Sequence, residues 1–281
     1  IRKYITCFLF IKPEREERMI KVLVNGANGR MGSEVVRTII QEKNLQLVGA
    51  VDPKCVGKDI GMITGSGNLG VLISRSLQEA FKLVKPDVVI DFTSPAVIYE
   101  NAKLVLESGI HMVIGTTGLT SEQRNELAAV AEKNNANCLI APNFSLGAVL
   151  LMKVSAEISK YLPNAEIIEL HHNHKFDAPS GTAKLTAEKM AKARTMQPEP
   201  DETKESISGA RGGRYEGIPI HSVRLPGYVA HQEVLFGGYG EILTIRHDSL
   251  DRKSFMPGVM LACKKILEMP GLVYGLENYL D

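Results

Sequence analysis

The sequence predicts an α/β protein in two parts: a doubly wound parallel sheet, then an α+β unit with a mostly antiparallel open sheet. Three observations carry this. Short apolar runs alternate with helix-patterned stretches from residue 20 to residue 141, as parallel strands joined by right-handed crossovers do. The first run passes directly into a glycine turn, Gly26-Ala27-Asn28-Gly29-Arg30-Met31-Gly32, that opens a helix. Beyond residue 219, three strand-like runs follow one another with short turns and no helix between them, which suits antiparallel pairing.

Taken in order, Ile20 to Asn25 is compact, apolar and β-branched, hence a buried strand. The helix after the glycine turn carries Val35, Val36, Ile39 and Ile40 on one face. Leu45 to Val51 reads as a second strand ending at Asp52. Strand, glycine turn, helix, strand and acid together form the Rossmann-like dinucleotide pattern. The glycines allow a tight turn and close backbone approach, and the helix N-terminus receives a pyrophosphate. Asp52, twenty positions past Gly32, is placed for a ribose hydroxyl. The spacing is GxxGxxG, so Asn28 stands where glycine is more usual. Arg30 either lies along the phosphates or near the adenine, or is a solvated helix residue. Asp52 favours NADH, because a carboxylate repels a 2′-phosphate; Lys54 offsets that charge and keeps NADPH as an alternative.

Lys85 to Phe92 reads as the next strand, followed by Thr93-Ser94-Pro95 and a helix from Ala96 to near Gly109. His111 to Gly115 is a strand ending in Gly115-Thr116-Thr117-Gly118, and Thr120 with Gln123 forms a capping box for a helix to Lys133. Cys138 to Ala141 is a further strand, ending in Pro142-Asn143-Phe144-Ser145. Each strand thus ends in small or hydroxylic residues, at the edge where open α/β sheets bind ligands. Gly115 to Gly118 is an ordinary turn on the plain reading, but its place at a strand's C-terminal end favours a nicotinamide-side role. A helical run then reaches Tyr161. Ala165 to Leu170 is strand-like, and Ala183 to Arg194 favours helix. Gln197 to Ser206 is a polar loop, and Gly209 to Gly217 is glycine-rich. The late strands are Ile220 to Leu225, Val229 to Phe236 and Glu241 to His247, joined at Pro226-Gly227 and at Gly237 to Gly240. Such an open sheet often associates with a copy of itself. Asp251 to Glu268 reads as a helix returning to cover the first unit. The expected division is residues 19–144, completed by 251–281, for the dinucleotide, and 145–250 for substrate and oligomerisation.

Bulk properties narrow the class. Thirty-three Lys and Arg against 32 Asp and Glu give a net charge of +1, with no bias toward nucleic acid. No apolar run approaches a membrane span. Cys7, Cys55, Cys138 and Cys263 have neither disulfide-framework nor zinc spacing, which suits a reducing cytoplasm. Residues 1–18 carry a short apolar run and then a charged block without a small-residue cleavage site. They are expected to be an N-terminal extension outside the fold, read from upstream of a natural start at Met19.

The chemistry concentrates in Glu169 to Thr182, ELHHNHKFDAPSGT. His171 and Lys175 can supply protons or positive charge near neutral pH. The amides of Gly181 and Thr182 open a helix, where unpaired donors and the macrodipole favour an anion such as a carboxylate. A solvated turn and a three-histidine metal site are the alternatives. Against metal, successive strand residues point to opposite faces, and no HExxH or CxxC accompanies the cluster. No metal is expected.

With these residues in view, the chain from Met19 onward resembles the 4-hydroxy-tetrahydrodipicolinate reductase (dihydrodipicolinate reductase) family of bacterial lysine and diaminopimelate biosynthesis. The matching pieces are GANGRMG at Gly26 to Gly32, DFT at Asp91 to Thr93, GTTG at Gly115 to Gly118, APNFS at Ala141 to Ser145, and ELHHNHKFDAPSGTA at Glu169 to Ala183. The resemblance implies NADH or NADPH as cofactor and a small cyclic dicarboxylate imine as substrate. It implies phosphate contacts at Gly26, Ala27, Asn28, Gly29, Arg30 and Met31, with Asp52 at the adenosine ribose. Gly115, Thr116, Thr117, Ala141, Pro142, Asn143 and Phe144 would lie against the nicotinamide half. It makes His171 the proton donor and acceptor, Lys175 a second proton donor, and His172, Gly181 and Thr182 substrate-holding groups. It also implies a homotetramer. Asn173 departs from the Arg often found between the histidines, and Pro53 from the Arg that some members carry for the NADPH phosphate. The competing functions are another NAD(P)-dependent dehydrogenase of similar layout, a non-catalytic dinucleotide sensor and a metal-dependent hydrolase. The first has no reason to carry HHNHKFDAPSGT, the second gives His171 and Lys175 no task, and EDTA sensitivity would distinguish the third.

Overall fold

The computed structural model describes residues 18–280. The expectation for residues 1–18 falls, Arg18 apart, outside the described residues. The chain runs β1 (Ile20–Asn25), α1 (Arg30–Ile39), β2 (Leu45–Val51), α2 (Ile60–Thr64), β3 (Ile73–Ser74), α3 (Leu77–Leu83), β4 (Val88–Asp91), α4 (Ile98–Glu107), β5 (His111–Ile114), α5 (Ser121–Lys133) and β6 (Cys138–Ile140). It continues with α6 (Leu146–Ile158), β7 (Asn164–His171), α7 (Gly181–Ala193), β8 (Gly213–Tyr215), β9 (Ile218–Arg224), β10 (Ala230–Gly238), β11 (Glu241–Ser249), α8 (Met256–Lys265) and β12 (Leu272–Tyr274).

The first sheet has the order β12-β6-β5-β4-β1-β2-β3, and every pairing in it is parallel. Strand alternation divides its core. Val22, Val24, Ile90, Val113 and Leu139 face α1 and α8, while Leu23, Val89, Met112, Ile114 and Ile140 face α4 and α5. Both faces are covered, so the central strands are apolar throughout, as the runs in the sequence require. The chain leaves β1 toward β2 and β3, then crosses to β4 on its other side and proceeds outward. The strand order therefore reverses between β1 and β4, and the crevice at their C-terminal ends is where such sheets take ligands.

The second sheet has the order β11-β10-β7-β9-β8, with three antiparallel pairings and one parallel, β7 with β9. Leu151 of α6 and Ala183, Ala187 and Met190 of α7 pack on its inner residues Ile167, Ile220, Val234 and Phe236. The other face is open, and Ile242 is 77% exposed there.

The structure corrects several local readings. The turn at Pro226-Gly227 does not join neighbouring strands, because β7 lies between β9 and β10 and pairs with both. Adjacent strands are about 4.8 Å apart, so the five residues between β9 and β10 reach over one strand as readily as they close a hairpin. Turn chemistry alone does not distinguish the two. Asp251 to Glu268 is not one helix: 3-10 turns at Arg252–Phe255 and Ile266–Glu268 flank α8. Pro257, which has no N–H, occupies the first turn of α8. Ile40 caps the end of α1 and is 40% exposed rather than buried beside Val35, Val36 and Ile39. Between Asp52 and β4, α2, β3 and α3 are too short to show periodicity. The Thr120–Gln123 capping box is present as read.

Candidate active site

The turn after β1 is a close-packed cradle. The amides of Gly26 and Ala27 both donate to Val51 O of β2, at 2.9 and 3.1 Å. Gly26 has φ +77°, and a Cβ there would lie 2.5 Å from Phe92 O at the end of β4. At Gly32 a Cβ would lie 2.1 Å from Gly26 O. The glycines therefore let β1, β4 and the first turn of α1 meet where the strand order reverses. Gly29, the N-cap of α1, makes no side-chain cap, so the first-turn amides of the helix remain available for an anion. Asp52, 8% exposed, accepts from Asn28 N at 3.2 Å and Lys54 N at 2.9 Å. Its carboxylate closes one end of the cradle. These are the properties a dinucleotide needs: room that a Cβ would fill, unpaired amides and a ribose-accepting acid.

A cavity of about 520 Å³ opens beside the turn, lined by Asn28, Arg30, Arg37, Arg252 and Lys253 among others. Arg252 and Lys253 come from the chain returning out of the second sheet, and sequence reasoning missed them. They belong to no motif and reach the turn only because α8 packs on α1.

The nicotinamide-side residues also converge. A Cβ on Gly115 would lie 2.0 Å from the Phe92 ring, which sits 5.8 Å from the Phe144 ring, centroid to centroid. Thr116, Thr117, Ala141 and Pro142 share one small cavity. Behind them the fully buried Asp91 accepts from Asn25 Nδ2 (2.7 Å), Thr93 Oγ1 (2.7 Å) and Thr116 Oγ1 (2.8 Å). One carboxylate thereby ties together the ends of β1, β4 and β5.

The histidine segment folds as strand, loop and helix. Glu169 and His171, two apart on β7, share the face of Ile167, which turns toward α6 and α7. His171 Nδ1 bonds the fully buried Glu169 carboxylate. His171 shares a small cavity with Asn143, Ser145, Thr182, His231 and His247. Asn143 Nδ2 donates to Thr182 Oγ1 at 3.3 Å, so the end of β6 meets the start of α7. The N-cap Ser180 hydroxyl accepts from Ala183 N, and the amides of Gly181 and Thr182 precede the first intrahelical donor. Lys175 lies apart from this cavity. Its ammonium pairs with Asp177 at 2.7 Å, holding that carboxyl below the usual range. His172 and His174 are exposed, with ring centroids 6.2 Å apart. Among the described residues no three His, Cys, Asp or Glu side chains are grouped to hold a metal.

His247 supplies a second link between the two sheets. Its Nε2 lies 3.1 Å from Ser145 Oγ, and its ring fills the space a Cβ on Gly147 would take. Burial pushes its pKa down, against the raising effect of Asp248.

A dinucleotide cradle at the reversal point of one sheet, whose neighbouring strand end meets the imidazole-bearing segment of another, defines a two-domain NAD(P)-dependent oxidoreductase. Comparison with known proteins gives the family. The family models "Dihydrodipicolinate reductase, N-terminus" and "Dihydrodipicolinate reductase, C-terminus" match residues 20–144 and 147–280. The 4-hydroxy-tetrahydrodipicolinate reductase of Listeria innocua is 54% identical over 264 residues, covering 93% of this chain and 100% of that protein. Its counterpart from Moorella thermoacetica is 50% identical over 263 residues, covering 93% and 98%. A dipicolinate-bound dihydrodipicolinate reductase from Paenisporosarcina sp. TG-14 superposes with a TM-score of 0.83 at 44% identity, over 93% of this chain and 100% of that one. The chain belongs to the dihydrodipicolinate reductase family.

Proposed function

We propose that the protein is a 4-hydroxy-tetrahydrodipicolinate reductase. In this reading it converts (2S,4S)-4-hydroxy-2,3,4,5-tetrahydrodipicolinate, with NADH or NADPH and one proton, to (S)-2,3,4,5-tetrahydrodipicolinate, the oxidised cofactor and water, in lysine and diaminopimelate biosynthesis. Family membership over nearly the whole chain supports it. The observation that carries the chemistry is His171 lining one cavity with Asn143 and Thr182, where the cradle-bearing sheet meets α7.

The bound cofactor supplies the hydride. The chain's own residues do the rest. Gly26 to Met31 line the diphosphate, and the first-turn amides of α1 at Arg30 and Met31 donate to it. The amides of Gly26, Ala27 and Gly29 are bonded to Val51 O and Gly26 O, and that of Asn28 to Asp52. Asp52 accepts from the adenosine ribose. Gly115, Thr116, Thr117 and Ala141 to Phe144 hold the nicotinamide half. The amides of Gly181 and Thr182, with His172 and Lys175, bind the two substrate carboxylates. Lys175 must exchange Asp177 for substrate, and an ion pair this exposed is worth only about 0–1 kcal/mol. His171 transfers the proton that accompanies loss of the hydroxyl, with Lys175 as second donor. Such acid–base assistance is typically worth ~10²–10⁴-fold.

We divide the chain into residues 19–144 with 251–281, and 145–250. The pairing of β12 with β6 and the packing of α8 beside α1 support this division. The open face of the second sheet, with Leu235 and Ile242 outward, suits assembly into a homotetramer. The free thiols Cys55, Cys138 and Cys263 suit a reducing cytoplasm. The direct test is loss of reduced-cofactor absorbance with freshly prepared substrate. Turnover with either NADH or NADPH supports the reading; turnover with neither refutes it. His171→Ala should lose mainly kcat, and a wild-type rate in that variant would remove His171 from the mechanism.

A further inference from the structure

Glu169 opens the histidine segment, and the reaction as described gives it no task. Its side chain is fully buried, where a lone carboxylate would be costly, yet all its partners are donors. Arg224 Nη2 reaches Oε1 at 2.7 Å and Arg224 Nη1 reaches Oε2 at 2.9 Å. Ser180 N donates to Oε1 at 3.2 Å. His171 Nδ1 bonds Oε2. Strand register builds the group: His171 of β7 is paired with Arg224 of β9, and Glu169 lies two residues back on the same face. Arg224 also donates to Asp177 O at 2.7 Å, tying down the loop that carries Lys175.

An ionised carboxylate only accepts. A ring nitrogen bonded to it must therefore carry the hydrogen, which leaves the other ring nitrogen unprotonated in neutral histidine. A bidentate guanidinium and a backbone amide on the same carboxylate favour its ionised form. Burial raises the Glu169 pKa, but hydrogen bonds from His171, Arg224 and Ser222 outweigh it and hold the group at about 2. Glu169 therefore orients the imidazole without taking its proton.

We propose that Glu169 and Arg224 are positioning residues for His171. Glu169 holds the hydrogen on Nδ1 and leaves Nε2 as the proton-exchanging atom, while Arg224 keeps the Glu169 carboxylate charged and in place. This rests on the role given to His171 above. Of the other titratable groups, His231 of β10 and His247 of β11 line the same cavity as the ring, while Lys175 and Asp177 pair with each other on the loop outside it. Asp248 is engaged by His231 Nδ1 at 2.6 Å and by Arg246, so Glu169 is the carboxylate that sets the His171 tautomer.

Two measurements test this. In the wild-type enzyme, ¹⁵N imidazole shifts of His171 above its titration should show a protonated Nδ1 and a bare Nε2. The opposite tautomer overturns the proposal and requires no variant to fold. In Glu169→Gln the charged imidazole loses its counter-charge, which disfavours the protonated form. The alkaline limb of kcat/KM, on which a proton donor is lost, should move to lower pH by about one unit, with kcat reduced roughly 10–100-fold and cofactor KM unchanged. Arg224→Lys keeps a cation and should lose less. A purely structural role would leave the limb in place, and an unmoved limb in folded Glu169→Gln overturns the proposal. Wild-type turnover by His171→Ala would instead refute the role of His171 itself.

Discussion

Replacing Gly32 with Ala tests the cradle most directly. The added Cβ would lie 2.1 Å from Gly26 O, 2.8 Å from Gly26 C and 2.9 Å from Ala27 Cα, all backbone atoms of the turn. Ordinary contact begins near 3.4 Å, so α1 must withdraw by about 1.3 Å, the difference of those two distances. It is not free to do so, because Val35, Val36 and Ile39 are fully buried against the sheet. Overpacking of this kind costs about 1–3 kcal/mol, which lowers Tm by roughly 2–10 °C for a chain this size. The same displacement moves the α1 amides off the diphosphate, so cofactor Kd should rise at least about tenfold, equivalent to ~1.4 kcal/mol. Gly29→Ala is the control. Its Cβ meets one atom, Gly26 O at 3.1 Å, in an ordinary backbone conformation, φ −72°. Thermal melting with and without NADH, together with cofactor titration, reads both variants. Wild-type Tm and Kd in Gly32→Ala, or equal damage from Gly29→Ala, would refute the close-packing argument.

Three further outcomes follow from the geometry. Asp52→Asn keeps an acceptor for only one of Asn28 N and Lys54 N, which bond different Asp52 oxygens, and removes the charge facing a 2′-phosphate; the NADPH-to-NADH ratio of kcat/KM should rise about tenfold, and an unchanged ratio would place the ribose elsewhere. Lys175→Ala removes a carboxylate partner and a proton donor together, so substrate KM should rise and kcat should fall; unaltered KM counts against the clamp. Because the Glu169 pKa is depressed to about 2, its contribution to stability is present above the unfolded value, 4.5 for a glutamate, and disappears as pH falls from there toward 2. Urea midpoints of wild type and Glu169→Gln should therefore differ at pH 6 and converge near pH 2; a gap that persists in acid would mean that the carboxylate's charge is not what stabilises.

Much of the site was legible in the sequence because its parts are local. Strand, glycine turn, helix and Asp52 stand within 33 residues, and each needs a particular residue type for a backbone reason that survives in any tertiary context. The Ser180 cap and the α7 amides are equally local. The pairing of Lys175 with Asp177 was not foreseen, since either loop conformation satisfies the same residues. Arg224 and Glu169, 55 positions apart, meet only because β9 chose β7 as its neighbour, and nothing in the Pro226-Gly227 turn announces that choice. Arg252 and Lys253 reach the glycine turn for a similar reason.

By itself, then, the sequence determined the class of fold, the dinucleotide cradle and the place of the segment to which we give the proton chemistry, because periodicity, capping and glycine turns act over a few residues. Tertiary structure alone decided the strand order of the second sheet, the burial of Glu169 with Arg224 and the placing of His171 beside Asn143 and Thr182. Those contacts join distant parts of the chain, and which distant parts meet depends on how all the apolar faces pack at once.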